Sequence, residues 1–122
     1  MLISNKSKTN LSYMRIWDLP PSDLCRQHLL GEHRELHALW SILTNNRKAY
    51  SNHPETLRWK GKLHALYLRH EALVREMQRR GYNHHSPLDP VLADGESRQD
   101  TLVTSIDGQK NALRKKGCNC KI

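Results

Sequence analysis

The chain has 122 residues, 37% of them hydrophobic and 6% aromatic, with no Phe; that suffices for one domain with a modest core and is too short for two. It has no apolar run long enough to span a membrane. The opening "MLISNKSKTNLSY" lacks the apolar stretch of a secretory signal, and three cysteines make no disulfide framework, which fits a reducing, cytoplasmic, nucleoid-associated setting. The net charge is +8, and residues 14–86 hold 12 basic and 7 acidic side chains, against 6 and 5 in residues 87–122. A basic folded segment points to a polyanionic partner, nucleic acid first.

Taken in chain order, "LPPSDL" (Leu19–Leu24) starts a helix, with Pro20 and Pro21 stopping what precedes and Ser22 or Asp23 as cap. Leu24, Leu29, Leu36, Leu39, Trp40 and Leu43 recur at helical spacing until "TNNR", which predicts a first long helix over about 22–44. "SNHPETLRW" restarts the pattern, with Ser51 or Asn52 as cap and Pro54 in the first turn. Gly61 interrupts that element or lies within it. Leu63, Leu66, Tyr67, His70, Leu73, Val74 and Met77 form the stripe of a second long helix over about 60–80, closed by Gly81. Beyond it, "TLVTSI" (Thr101–Ile106) has the composition of a short strand, and "GQKNALRKKG" that of a helical turn or two ended by Gly117. The predicted fold is all-α: a small single-domain bundle of two long helices plus a shorter one. Residues 14–86 form the domain, residues 87–122 an irregular C-terminal extension, and residues 1–13 a non-native or disordered N-terminal extension.

On a helical wheel the apolar residues of the first helix occupy an arc of roughly 100°. His28 and Glu35 lie at one edge of that arc and Glu32 within it. Gly31 and Ala38 form a strip of small residues, with Gln27 and Arg34 on its far bank. Gly31 costs about 1 kcal/mol relative to Ala in a helix interior, which a close approach of a ligand or of the second long helix would offset. A carboxylate at the edge of an apolar face is partly desolvated and binds its proton more tightly. His33 and His37 fall on the surface side, and Cys25 on the apolar face. Arg58, Lys60 and Lys62 around Trp59 form a candidate phosphate-contact patch.

Two stretches carry a resemblance. "MRIWDLPPSDLCRQHLLGEHREL" (Met14–Leu36) and "RHEALVREMQRRGYN" (Arg69–Asn83) resemble the pyrimidine-dimer DNA glycosylase/AP lyase family, over about residues 14–86. The resemblance implies an all-helical protein, acting as a monomer, that binds the minor groove and backbone of damaged or abasic duplex DNA and kinks it with a base flipped out. It implies that the nucleophile is an N-terminal α-amine at the position of Met14, assisted by Glu35. Arg15 and Arg34 match arginines that hold phosphates and the lesion; Gln27 and His28 match polar residues beside the catalytic centre. The chemistry is sound, since an α-amine has a pKa near 8 against about 10.4 for Lys, so more of it is a free nucleophile at neutral pH. A carboxylate can stabilise the cationic sugar and imine and shuttle protons.

The sequence also departs from the family. Thirteen residues precede Met14, so the reading requires Met14 to be the true start; Ala38 stands where an arginine contacts DNA, and the tail "LRKKGCNCKI" lacks aromatics. No cofactor or metal is expected. Cys118 and Cys120 with His84 and His85 offer thiolate and imidazole, but not at the spacing of a known zinc site, so a solvated tail is the expectation. Two further readings stand beside the enzyme: a non-catalytic DNA-binding or interaction protein with the same fold, and a tail-metallated regulatory module.

Overall fold

A computed structural model of the protein describes residues 14–122; the expected N-terminal extension lies outside the described residues. All regular structure among these is helical: α1 (Arg26–Thr44), α2 (Pro54–Trp59), α3 (Leu63–Arg79) and α4 (Ile106–Lys115), with single 3-10 turns at Pro21–Asp23 and Pro90–Leu92. The all-α expectation holds, with two long helices and shorter ones. Thr101–Ile106 forms no strand; Ser105 instead caps α4, its side chain accepting from Gly108 N–H. The tail therefore holds a ten-residue helix rather than a turn or two.

The caps differ in detail from those expected. Ser22 and Asp23 belong to the 3-10 turn, and Cys25 takes the cap position of α1 without a side-chain bond. His53, not Ser51 or Asn52, caps α2, its Nδ1 accepting from Glu55 N–H at 3.1 Å. Gly61 separates α2 from α3. Gly81 ends α3 as expected: it sits at φ +83°, Tyr82 N–H reaches Met77 O and Gly81 N–H reaches Gln78 O.

Helices α1 and α3 pack together through Leu29, Leu36, Leu39, Leu66, Leu73 and Met77, all buried. Between the helices runs the extended segment Met14–Leu19, in which Met14, Ile16, Trp17 and Leu19 are also buried. A buried extended segment without a partner strand must find its hydrogen bonds elsewhere. Here side chains of all four helices supply them. Arg15 N–H donates to Glu35 Oε1 at 2.8 Å, Trp17 N–H to Glu32 Oε1 at 3.2 Å and Asp18 N–H to Gln109 Oε1 at 2.8 Å. Ile16 O accepts from Arg58 and Leu19 O from Arg69. Most of the buried charge is thereby accounted for: Glu32, 1% exposed, also forms a two-pronged pair with Arg69 at 2.7 and 3.1 Å.

The C-terminal segment is built into the same core. Leu113 and Gln109 are buried beneath α4. The first turn of α3 has no side-chain cap, and its amides are met by carbonyls of the tail: His64 N–H by Asp94 O, Ala65 N–H by Glu96 O. Gly95 permits this docking. It sits at φ +82°, and a Cβ there would run into the Gly61 carbonyl. Gly95→Ala is expected to cost at least about 1–2 kcal/mol for the left-handed conformation alone, read as a lower denaturant midpoint at unchanged slope.

Candidate active site

Around the N-terminal half of α1 lies a cavity of about 130 Å³, lined by Arg15, Trp17, His28, Gly31, Glu32, Glu35 and Lys116. A larger one, about 340 Å³, shares Arg15, Trp17 and Lys116 with it, and is lined further by Met14, Glu55 and Ala112. The extended segment thus lies where both cavities meet, with Met14 at its start. The Arg15 N–H bond to Glu35 holds the carboxylate one residue from the Met14 nitrogen. Arg15 stacks its guanidinium 4.9 Å above the Trp17 ring, leaving it at the cavity wall.

Glu35 is half-buried, and burial pushes its carboxyl above the usual carboxylate range against the opposing pull of the Arg15 amide and Arg34. His28 is held below the ordinary imidazole value by burial and by Lys116. Gly31 has an open face: a Cβ there would meet only Arg34 Nη2, at 3.7 Å. The second long helix therefore does not lean on Gly31, and the space above it is free at the cavity rim. Arg34 is exposed beside it.

Several expected site residues fall elsewhere. Arg58 is not part of a phosphate patch. It is 5% exposed, and its guanidinium bonds Glu55 (2.9 Å), Asp18 (3.1 Å), Ile16 O and Thr101 O (both 2.8 Å). Lys62 Nζ is held by Gln99 and Thr101, while exposed Lys60 lines a separate cavity with Arg47 and Lys48. The three basic residues are divided because the chain turns at Gly61, and a linear count of charges cannot register that. Gln27 is exposed and lines a different cavity, with Cys25, Gly117 and Cys118. Lys116 was missed: it looked like one cation of a basic tail, and only the docking of α4 brings it to the cavity.

The histidines and cysteines also depart from expectation. His33 and His37, read as surface residues, meet His70 and His84 in one cluster, with ring centroids 4.7–5.3 Å apart. Burial and its histidine neighbours hold His33 down to about 4, and His37 is lowered for the same reasons. Cys118 and Cys120 are partly buried rather than in a solvated tail. They pack against the core and meet Cys25 and His28 at the start of α1.

No helix among the described residues is long and apolar enough to cross a membrane. No curated protein and no solved structure matches the chain. A family model described as pyrimidine dimer DNA glycosylase matches residues 14–90, beginning one residue before Arg15, whose N–H bonds Glu35. A family of that description acts on DNA, and the match takes in the extended segment, α1, α2 and α3 together. The chain belongs to the pyrimidine dimer DNA glycosylase family.

Proposed function

We propose that this chain is a DNA-repair glycosylase with AP-lyase activity, acting as a monomer on duplex DNA at pyrimidine dimers or abasic sites through the α-amine of Met14. The single observation that carries the reading is the bond between Glu35 Oε1 and Arg15 N–H, 2.8 Å, which ties the carboxyl to the residue that follows Met14, at a cavity that Met14 and Arg15 both line. In the proposed sequence the amine nitrogen attacks the sugar C1′ and the bond from C1′ to the base breaks. The first amine proton passes through Glu35 to the departing base (at an abasic site, to the C1′ hydroxyl, which leaves as water), and the second passes to O4′ as the C1′–O4′ bond breaks and the imine forms. Removal of a C2′ proton then expels the 3′ phosphate by β-elimination. Glu35 takes and returns protons and offsets the positive charge on the sugar and imine. Arg15, Arg34 and Lys116 hold phosphates around the lesion, and the open face of Gly31 admits the sugar-phosphate backbone.

This reading requires the amine to be free, so the active species begins at Met14. Support comes from the family match, which begins at that residue. The test is borohydride trapping on an abasic or ultraviolet-irradiated duplex with protein expressed from Met1 and from Met14. The Met14 form is expected to give a covalent protein–DNA band whose mass places the link on the N-terminal residue. If neither form is trapped while both bind the duplex, the protein is a DNA-binding member of the family without catalysis.

A further inference from the structure

Two groups of metal-ligating side chains stand apart from the proposed chemistry. At the start of α1, Cys25 and His28 face Cys118 and Cys120 of the tail. Cys25 Sγ lies 3.1 Å and Cys120 Sγ 3.5 Å from His28 Nδ1, and the four ligand atoms all fall within 4.8 Å of one another. A tetrahedral zinc with Zn–S near 2.3 Å and Zn–N near 2.0 Å has ligand–ligand edges of about 3.5–3.8 Å, so the cluster needs only small shifts to close around an ion. All three cysteines are free thiols, and Cys25 N–H already donates to Cys120 Sγ at 3.1 Å, a bond that supports a thiolate. Three sulfurs and one imidazole form one of the usual closed sets of structural zinc.

The second group bridges α1, α3 and the segment after α3. His33 and His37 stand one turn apart on α1; His33 Nε2 lies 3.1 Å from His84 Nε2, and His37 Nε2 lies 3.2 Å from His70 Nε2. A tetrahedron of four imidazole nitrogens about 2.0 Å from zinc has edges of about 3.3 Å. His70 is fully buried, and its Nδ1–H donates to Glu71 Oε2 at 2.8 Å. The ring then turns its Nε2 toward the other three histidines. A carboxylate fixing the outer nitrogen of an inward-facing histidine is the usual second layer of a metal site.

We propose that the chain binds two ions of the zinc class, one held by Cys25, His28, Cys118 and Cys120, the other by His33, His37, His70 and His84. The sites are closed, with four protein ligands each, and their role is structural. The first pins the tail to α1. Because Lys116 precedes Cys118 by two residues and lines both cavities beside Arg15 and Trp17, this ion sets the position of Lys116. His28 becomes a metal ligand and a positioning residue rather than a catalytic one, its ring packed edge-on against Trp17. The second ion clamps α1 to α3 on another face of α1.

The test uses the reduced full chain, loaded with zinc or cobalt(II), passed through a desalting column and read by elemental analysis and absorption. The expected result is two ions per chain, with a thiolate-to-cobalt charge-transfer band. Cys118→Ser with Cys120→Ser is expected to lose one ion and the band; His37→Ala with His84→Ala is expected to lose one ion and keep the band. In the zinc-loaded protein Cys25, Cys118 and Cys120 should resist alkylation until a chelator is added. The cobalt spectrum of the unaltered chain decides the cysteine site even where a variant fails to fold. A cobalt-loaded chain without the band, or a disulfide among these cysteines in the reduced protein, overturns the first site. Metal content unchanged by the histidine double variant overturns the second, and no bound metal overturns both. None of these readouts depends on catalysis.

Discussion

Glu35→Gln is expected to lower the rate of imine formation by about 10²–10⁴, the usual contribution of a positioned acid–base group, while leaving the fold intact. Gln is nearly isosteric, and its carbonyl oxygen can still accept from Arg15 N–H, the bond that Glu35 makes now. The stability effect has a definite sign. Burial raises the folded-state pKa of Glu35, so the carboxyl's contribution to stability is complete below the ordinary carboxylate pKa. That contribution is lost as pH rises through the raised value. Gln never ionises, so the variant should match or exceed the parent's melting temperature at neutral pH, the gap opening as pH rises from the ordinary carboxylate pKa to the raised one and constant above it. The pH–rate profile separates the two roles. The parent's rate should fall once as pH drops through the pKa of the α-amine, and more steeply once Glu35 is protonated. The variant should keep the first fall and lack the second. A Glu35→Gln protein with full trapping activity, or with a parental second fall, would remove Glu35 from the mechanism.

Arg58→Met is expected to act on the opposite quantity, stability rather than DNA affinity. The Arg58 and Glu55 side chains are 2% and 3% exposed, and the same guanidinium reaches Asp18, Ile16 O and Thr101 O. Removing the cation leaves the buried Glu55 carboxylate the Trp59 indole N–H, at 3.1 Å, but no guanidinium, and takes the Arg58 hydrogen bonds from two backbone carbonyls. Breaking such a buried pair from one side costs about 3–5 kcal/mol, which for a domain of this size lowers the melting temperature by roughly 10 °C or more. Met preserves much of the side chain's apolar contact, including that with the Trp59 ring, over which Arg58 now lies at 5.0 Å. Below its unfolding temperature the variant should keep the parental slope of DNA affinity against salt. A lost phosphate contact would instead reduce that slope by about 1. A stable variant with a reduced slope would return Arg58 to the DNA interface.

The long helices were legible because their signals are local. Leu, Val and Met at three- and four-residue steps, Pro54 at a first turn and Gly81 after a last turn act within a few residues of where they stand, and α1 and α3 appear within a few residues of their expected bounds. Caps were less legible, since several polar residues near each start can accept the same amide and the winner depends on how the preceding chain arrives. Cys25 at the start of α1 and His53 at the start of α2 show this. The pairing of Glu32 with Arg69 was open to the wheel only in part: it put Glu32 within the apolar arc, which demands a partner, but could not say which.

The helical architecture, the family match over residues 14–90 and the crowding of Glu35, His28 and Gly31 on one side of one helix are written in the local pattern of the chain. These follow from periodicity and local spacing, which fold with the chain segment that carries them. Which distant groups meet follows from the packing of the helices instead. Arg58 turned inward because the extended segment Met14–Leu19 has no partner strand and takes its hydrogen bonds from side chains. Lys116 came to the cavity, and Cys118 and Cys120 to Cys25 and His28, because α4 buries Leu113 in the shared core and carries the tail with it. His33, His37, His70 and His84 met because the packing of α1 on α3 fixes their rotation. Each is a contact across many residues, set by the burial of apolar side chains elsewhere, and no local pattern encodes it.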